Sequence, residues 1–280
     1  MREAFLYESH SHTPLCKHAV GEPEAYAQRA LERGLSGLIV TCHNPMPNGF
    51  SSCVRMDPEQ LHAYVDMVER ARVAFSGRVD VCLGLEADYF EGYERWVEDQ
   101  LASQDFQYVL GSVHPQLPEY AERYSDEDPL EIQRTYFRLL AQSAETQLFD
   151  CLAHPDLIKN MTHRAWDVGA IMDDICDALD RIAATGVAME INTSGMFKAF
   201  PEFNPGRAML IEMQQRNIPI VLGADAHTPD RVADGYEDAL DLLAQCGFSC
   251  VHVFKQRKPI AIGIEQARAC LVPADAISVS

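Results

Sequence analysis

The sequence predicts an α/β fold in which a parallel sheet closes into a barrel of about eight strands. Short apolar runs alternate seven or eight times with stretches of helical periodicity, as they do in consecutive strand–helix units. The 280 residues suit the ~250 residues typical of such barrels. No GxGxxG motif follows the first strand, which removes the usual reason to prefer the alternative, an open doubly wound sheet.

Each predicted strand is a short apolar run, and a helical stretch follows nearly every one. This repeated alternation indicates that the strands pair in parallel. The eight runs are Phe5–Ser9, Leu38–Thr41, Val79–Leu85, Tyr108–Ser112, Phe149–Leu152, Val187–Ile191, Ile218–Leu222 and Cys250–Phe254.

The helices are predicted from apolar residues at helical spacing with charges between them. In the second helix, Asp57 is the expected N-cap, followed by a proline at the first helical position. Gly34 and Gly186 follow helices where a terminating glycine is expected. The predicted helices are Glu22–Arg33, Pro58–Phe75, Tyr93–Ala102, Pro129–Thr146, Val168–Ala184, Pro205–Gln215 and Val232–Gln245.

The chain has no Pro/Gly/Ser-rich linker, low-complexity tract or clear internal repeat, so residues 1–280 are expected to form a single domain. No apolar run is long enough to span a membrane, and the first residues, MREAFLYESH, contain no signal-peptide stretch. We therefore expect a cytoplasmic protein without a membrane partner. The oligomeric state is not predicted.

The net charge restricts the partners. The chain has 23 Lys and Arg residues against 42 Asp and Glu residues, a net charge of −19. This balance disfavours nucleic acid as a partner, because phosphate backbones bind positive surfaces. A small anionic substrate stays compatible if bound cations reverse the sign locally.

The nine cysteines do not form a recognisable metal motif. Their number is odd and no CxxC pair occurs, which argues against a zinc ribbon. Reduced and mostly buried thiols are expected. Cys16 and Cys42 lie near histidines in the sequence, but we interpret them as small apolar filler in preference to metal ligands.

Histidines concentrate where the predicted strands end. The segment HSHTPLCKH holds three of the ten histidines, and an extended backbone turns His10 and His12 to the same side. Asp225 and His227 repeat this spacing, and Glu86 ends the third strand. The seven histidines at or just past strand ends are His10, His12, His18, His43, His114, His154 and His227.

Barrels and open α/β sheets both place their active sites at the carboxyl edge of the strands. A single histidine there is most often a hydrogen-bonded or surface residue, but seven together with two carboxylates need another explanation. Crowded histidines repel one another if protonated and need partners if neutral. Divalent cations meet both needs, so we predict a polynuclear metal site.

The motifs around these residues resemble those of a known family. After His10 and His12, the chain contains TCHNP, GLEADYF, GSVHP, AHPDLIK, EINTSG and LGADAH in this order. From Phe5 to Ile262 this combination resembles the PHP (polymerase and histidinol phosphatase) family, and most closely its histidinol-phosphate phosphatases. The resemblance implies a distorted (βα)₇ TIM-like barrel, one strand short of the usual eight.

The resemblance also implies three divalent metal ions, for which zinc, iron and manganese are all compatible. Glu86 is expected to bridge the first two ions. The first is assigned to His10, His12, Glu86 and Asp225, the second to Glu86, His114 and His154, and the third to His18, His43 and His227.

The expected reaction is hydrolysis of a small phosphomonoester. The favoured substrate is L-histidinol phosphate, which would give L-histidinol and phosphate. A metal-bound hydroxide would attack phosphorus while the third metal neutralises the phosphate oxygens. The expected catalytic residues are Glu86 in its bridging role and Asp225 or His227 in proton transfer to the leaving alkoxide. Three other functions stay open: a phosphoesterase for another small phosphate such as a nucleotide or sugar phosphate, a non-catalytic metal-bound scaffold, and an exonuclease, which the net charge disfavours.

Fixed cations are expected to hold the phosphate. Lys159, just past the fifth strand, is the first candidate, followed by Arg55 and Arg207. Glu190 and Asn192 are expected to orient metal ligands. Lys198 lies in a segment where relatives often carry an arginine. This difference leaves the specificity for the leaving group open.

Overall fold

The strands within residues 5–273 all belong to one nine-stranded sheet, in which sequence order equals spatial order. The computed structural model describes residues 5–273. The strands are β1 (Tyr7–Glu8), β2 (Gly37–Val40), β3 (Asp80–Asp88), β4 (Tyr108–Ser112), β5 (Cys151–Leu152), β6 (Ala188–Asn192), β7 (Ile220–Gly223), β8 (Cys250–Lys255) and β9 (Lys258–Gly263).

Helices connect the strands and also follow the last one. They are α1 (Pro23–Glu32), α2 (Leu61–Ala74), α3 (Glu94–Ser103), α4 (Pro118–Tyr124), α5 (Pro129–Glu145), α6 (Ile158–Met161), α7 (Met172–Thr185), α8 (Arg207–Gln215), α9 (Tyr236–Gln245) and α10 (Ile264–Cys270). No helix within residues 5–273 combines the length and apolar character that crossing a bilayer requires.

Strands β1 to β8 pair in parallel with their neighbours. The segment after β1 also meets the segment after β7 in one parallel bridge, Ser11–Ala226. Here His12 N donates to Ala226 O and Ala226 N donates to His10 O, both at 2.9 Å. This bridge brings the segments that follow β1 and β7 together, as the distorted (βα)₇ arrangement implied by the family resemblance requires, while the sheet continues beyond β7 through β8 and β9.

The parallel part of the sheet includes an eighth strand, β8. This strand pairs with β7 on one side and, in an antiparallel hairpin, with β9 on the other. Gln256 and Arg257 make the turn with positive φ angles of 51° and 60°, as a tight hairpin requires. Strand β9 was not predicted, because its sequence KPIAIG contains a proline near its start, a residue typical of edge strands.

Most predicted elements agree with the structure to within a few residues, and the differences have local causes. The expected helix from Val232 begins only at Tyr236, because Ala233 and Gly235 take left-handed φ angles of 56° and 73°. The helix expected from Val168 begins at Met172. The short helices α4, α6 and α10 were not predicted.

The apolar periodicity of α2 is confirmed by its burial. Tyr64 and Val68 are buried together with Ala71, and Phe75 just past the helix is 6% exposed. Before this helix, Asp57 N donates to Gln60 Oε1 at 2.8 Å, closing a turn that starts at Pro58. The buried faces of the helices and the strands form one apolar cluster, and this core carries the polar strand ends described next.

Candidate metal centre

The segment after β1 directs two histidines to the same side, as the sequence predicts. Ser11, between them, faces β2: its Oγ donates to Ile39 O at 3.1 Å and its N to Thr41 Oγ1 at 3.2 Å. His10 and His12 therefore point away from β2, with ring centroids 5.1 Å apart. Both are fully buried.

A tight turn brings the third histidine of this segment back to the first two. Pro14–Cys16 forms a single 3₁₀ turn and Lys17 follows with a left-handed φ of 70°. His18 Nδ1 then lies 2.7 Å from Cys16 O, which directs Nε2 the other way. His18 Nε2 lies 2.9 Å from His227 Nε2.

Glu86, near the end of β3, is the centre of the cluster. Its Oε1 lies 3.0 Å from His154 Nε2 and 3.4 Å from His114 Nε2. Its Oε2 lies 2.8 Å from His43 Nδ1 and 3.5 Å from His10 Nε2. One carboxylate thus faces histidines from four different strand ends.

Asp225 follows β7 and completes the inner cluster. Its Oδ1 lies 3.1 Å from His12 Nε2 and 3.6 Å from His10 Nε2. Its backbone takes a left-handed φ of 51°, and His154 has a φ of 31°. Such backbone strain in non-glycine residues is typical of functional sites.

Glu190 in β6 orients two of these residues, His10 and His154, through hydrogen bonds. Its Oε1 accepts from His10 Nδ1 at 2.7 Å, and its Oε2 accepts from the backbone N–H of His154 at 2.8 Å. Asn192 Nδ2 donates to the same oxygen at 3.0 Å. A Cβ atom at Gly223 would come within 1.8 Å of Glu190 Oε1. A side chain at this strand position would therefore clash with the carboxylate, and glycine avoids the clash.

A second buried carboxylate, Asp88, escaped the sequence analysis. Its Oδ1 accepts from His114 Nδ1 and from Ser112 Oγ at 3.0 Å, while Arg55 Nη2 donates to its Oδ2. Asp88 lies two residues after Glu86, so the same i, i+2 spacing used for His10 would have found it.

Burial and charge together set the protonation of the centre. Burial by itself raises the pKa of the Glu86 carboxyl, but the facing His43, His10 and His114 hold it well below its usual range. Burial lowers the pKa of His43 to about 3. At His114, by contrast, the carboxylates of Asp88 and Glu86 outweigh burial and raise the pKa to about 10, so a bound metal ion would displace the proton there. An ionised carboxylate and a neutral imidazole are the forms in which these groups bind divalent metals.

The donor atoms fit metal ions better than they fit one another. His10 Nε2, His43 Nδ1 and Glu86 Oε2 are buried and form no hydrogen bond with any described residue, although native proteins satisfy nearly all buried polar groups. The groups with donor atoms within 4.8 Å of one another include His10, His12 and Glu86; His43, Glu86 and His114; and His12, His43 and His227.

A cavity of about 490 Å³ opens above this cluster. Its walls include His18, His114 and Asp225 from the cluster, and also Gln116, Ser194 and Phe197. Two cations line it, Lys198 and Arg231. Lys198 Nζ lies 3.5 Å from Asp225 Oδ2, and the Arg231 guanidinium lies 3.7 Å from the Phe197 ring centroid.

The three cations predicted to bind phosphate do not line this cavity, which corrects that prediction. Lys159 is fully buried and its Nζ is held by Asp156 Oδ2 at 2.9 Å and Phe203 O at 2.6 Å. Arg55 is buried and holds Asp88. Arg207 lies exposed on α8, where it donates to Gln245 Oε1 at 3.1 Å.

A histidine and carboxylate cluster at the carboxyl edge of a mostly parallel sheet with helices between its strands defines a metal-binding α/β protein. The nine residues expected to hold metal all lie in this cluster. The chain belongs to the PHP family, since the PHP domain model matches residues 8–194.

Relatives in this family cover almost the whole chain. A probable histidinol-phosphatase of Deinococcus radiodurans is 40% identical over 259 residues, which cover 90% of this chain and 98% of the relative. The histidinol-phosphatase of Bacillus subtilis is 25% identical over 264 residues, covering 84% of this chain and 98% of the relative.

A solved structure shares the fold. The histidinol phosphate phosphatase of Lactococcus lactis, crystallised with zinc, L-histidinol and phosphate, superposes with a TM-score of 0.78 at 19% identity. The match covers 91% of this chain and 98% of the Lactococcus chain.

Proposed function

We propose that this protein is a metal-dependent phosphatase that hydrolyses a small phosphomonoester, L-histidinol phosphate, to L-histidinol and phosphate. The observation that carries the proposal is the cluster of histidines and carboxylates around Glu86 at the floor of a cavity of about 490 Å³. The names of the Deinococcus and Bacillus relatives support the substrate, as do the molecules bound to the Lactococcus enzyme.

Three divalent ions are proposed to occupy the cluster, with zinc, iron and manganese as candidates. The central position of Glu86, within 3.7 Å of five histidines, supports its bridging role between two ions. The proposed sets are His10, His12, Glu86 and Asp225 for the first ion, Glu86, His114 and His154 for the second, and His18, His43 and His227 for the third.

When bound, such ions lower the pKa of water and neutralise a phosphoryl group. The residues of the chain position the substrate and the ligands. Lys198 and Arg231, the two cations of the cavity wall, are proposed to hold phosphate oxygens. Glu190 and Asp88 keep the rings of His10 and His114 in one orientation and one tautomer.

The leaving alkoxide needs a proton, and the cavity offers two groups for its delivery. Asp225 Oδ2 accepts from Ser194 Oγ at 3.0 Å, and both residues line the cavity. His227 also lines it and lies with Nδ1 3.0 Å from the carbonyl of Asp225. We propose that Asp225 or His227 controls this proton transfer.

A substrate panel tests the proposal. Protein reconstituted with zinc or manganese is given L-histidinol phosphate, a sugar phosphate, a nucleoside monophosphate and a single-stranded oligonucleotide, with Glu86→Gln as the inactive control. We expect kcat/KM for L-histidinol phosphate to exceed the others by at least about tenfold, or ~1.4 kcal/mol.

Each other outcome selects a different function. Preference for the sugar phosphate or nucleotide would replace the substrate but keep the chemistry. Preference for the oligonucleotide would indicate an exonuclease, which the net charge of −19 disfavours. No hydrolysis by fully metallated protein would indicate a scaffold.

A further inference from the structure

Two buried cysteines lie directly beneath the outer part of the metal cluster. Cys16 closes the 3₁₀ turn that precedes His18, and Cys42 precedes His43 at the end of β2. Both are fully buried. The sequence analysis interpreted them as apolar filler, but their surroundings are polar: Thr13 Oγ1 donates to Cys42 Sγ at 3.2 Å.

The thiol of Cys16 shares a site with two outer histidines. Cys16 Sγ and one ring nitrogen each of His18 and His227 lie within 4.8 Å of one another. Backbone carbonyls occupy Nδ1 of both rings, Cys16 O at 2.7 Å and Asp225 O at 3.0 Å, and the two Nε2 atoms face each other at 2.9 Å, a spacing that one shared ion would fit. Donors bound to one zinc lie about 3–4 Å apart, so a small adjustment brings all three onto one ion.

A second observation also indicates a ligand beside Cys16. His12 is fully buried and its Nδ1 has no hydrogen-bond partner among the described residues. His12, Cys16 and Cys42 form another group with donor atoms within 4.8 Å. Cys16 Sγ thus lies near ring nitrogens of His12, His18 and His227, which is not the environment of an apolar filler residue. The unpaired buried nitrogen of His12 is costly unless it gains a partner.

We propose that Cys16 supplies a thiolate ligand to the metal ion held by His18 and His227. The inference deepens the proposed function, on which it rests, because it concerns the third metal of the same site. On binding, the thiol proton leaves to solvent and the S–metal bond forms. A soft sulfur donor makes this position prefer zinc over manganese, in contrast to the nitrogen and oxygen donors around Glu86.

The test uses the full-length protein, reduced and reconstituted with cobalt(II), an ion that substitutes for zinc. A sulfur ligand produces thiolate-to-cobalt charge-transfer absorption in the near ultraviolet, which nitrogen and oxygen ligands do not. We expect this band in the wild type and its loss in Cys16→Ser. Cys42→Ser removes the neighbouring thiol and Cys53→Ser an exposed one, and both should keep the band.

A measurement on the wild type alone guards against misfolding of the variant. X-ray absorption at the zinc edge should show sulfur scattering from about one third of the bound zinc. The proposal is overturned by a metallated wild type without the band or the sulfur scattering, by a band that survives Cys16→Ser, or by one lost in Cys42→Ser.

The same experiment separates this inference from the proposed function. Full cobalt binding and phosphatase activity without any sulfur signal would remove Cys16 as a ligand and leave the phosphatase intact. Failure to bind cobalt at all would overturn both. A sulfur signal in a protein that hydrolyses no phosphomonoester would keep the thiolate ligand and reject the reaction.

Discussion

The inner and outer histidines of the cluster are held in different ways. The inner histidines, His10 and His114, are buried, and a carboxylate, Glu190 or Asp88, accepts from the Nδ1 of each ring. The outer histidines, His18 and His227, are more open to solvent, and each places its Nδ1 near a backbone carbonyl.

This difference indicates which part of the metal site is more rigid. Both a carboxylate and a backbone carbonyl behind a histidine fix its tautomer and orientation, but the negative charge of the carboxylate makes the other ring nitrogen a stronger metal ligand. We therefore expect metals at the inner histidines to bind more tightly than the metal at the outer ones. The following predictions test that contrast and the placement of the cations around the site, beginning with the largest effect.

Complete removal of metal should abolish hydrolysis, and the loss should occur in two steps. A chelator is expected to strip the ion at the outer histidines first and the two at Glu86 more slowly, because the latter are buried. Elemental analysis during dialysis follows the order, and added zinc should restore activity. Simultaneous loss of all ions would show that the two regions do not differ.

Replacing the central carboxylate should be nearly as severe. Glu86→Gln keeps the size of the side chain but removes the charge that faces the inner histidines. We expect kcat to fall by roughly 10³-fold or more, since such metals contribute several kcal/mol to the transition state. Steady-state kinetics with metal content measured in parallel checks this, and near-normal turnover of fully metallated Glu86→Gln would refute the bridging role.

Lys159 is expected to stabilise the folded protein and not to bind substrate. Lys159→Met leaves the buried carboxylate of Asp156 without its ion-pair partner, which should lower the free energy of unfolding by about 3–5 kcal/mol. The matched control Arg207→Met, at an exposed position, should change it by less than about 0.5 kcal/mol. Urea denaturation measures both.

The kinetics of the same variants test whether Lys159 is indeed absent from the phosphate-binding site. Folded Lys159→Met should keep KM for the phosphomonoester. A large rise in KM without loss of stability would return Lys159 to the phosphate site.

The carboxylates behind the inner histidines should have an intermediate effect. Glu190→Gln and Asp88→Asn should each weaken metal binding about 10- to 100-fold, measured by competition with a chromophoric chelator. Glu145→Gln, which alters an exposed ion pair with Arg181, is the matched control and should bind metal normally. If the inner variants behaved like the control, the contrast between inner and outer histidines would not depend on these carboxylates.

Lys198 should show the smallest effect, on substrate affinity. Lys198→Met removes a cation of the cavity wall, and a charged hydrogen bond contributes about 1.5–3 kcal/mol, so KM should rise roughly tenfold or more. Lys198→Arg should restore most of the affinity because it keeps the charge. Unchanged KM in Lys198→Met would leave Arg231 as the phosphate cation of the cavity.

Much of the fold was predictable because strand–helix alternation is a local property of the sequence. Strand β4 has the predicted bounds, and the other predicted strands lie within three residues of them. Strand β9 and the short helices were not predictable from periodicity, since they span too few residues or contain proline. Asp88 was missed although its spacing from Glu86 matched a pattern already recognised.

The sequence by itself determined where the metal-binding residue types lie, because side chains at the ends of parallel strands share one edge of the sheet whatever the details of packing. Only the tertiary structure decided which cations reach the cavity and that Cys16 faces His18 and His227. Those outcomes depend on residues distant in the chain: Lys159 turns inward because Asp156 and Glu202 offset its desolvation, a balance that no local pattern reveals.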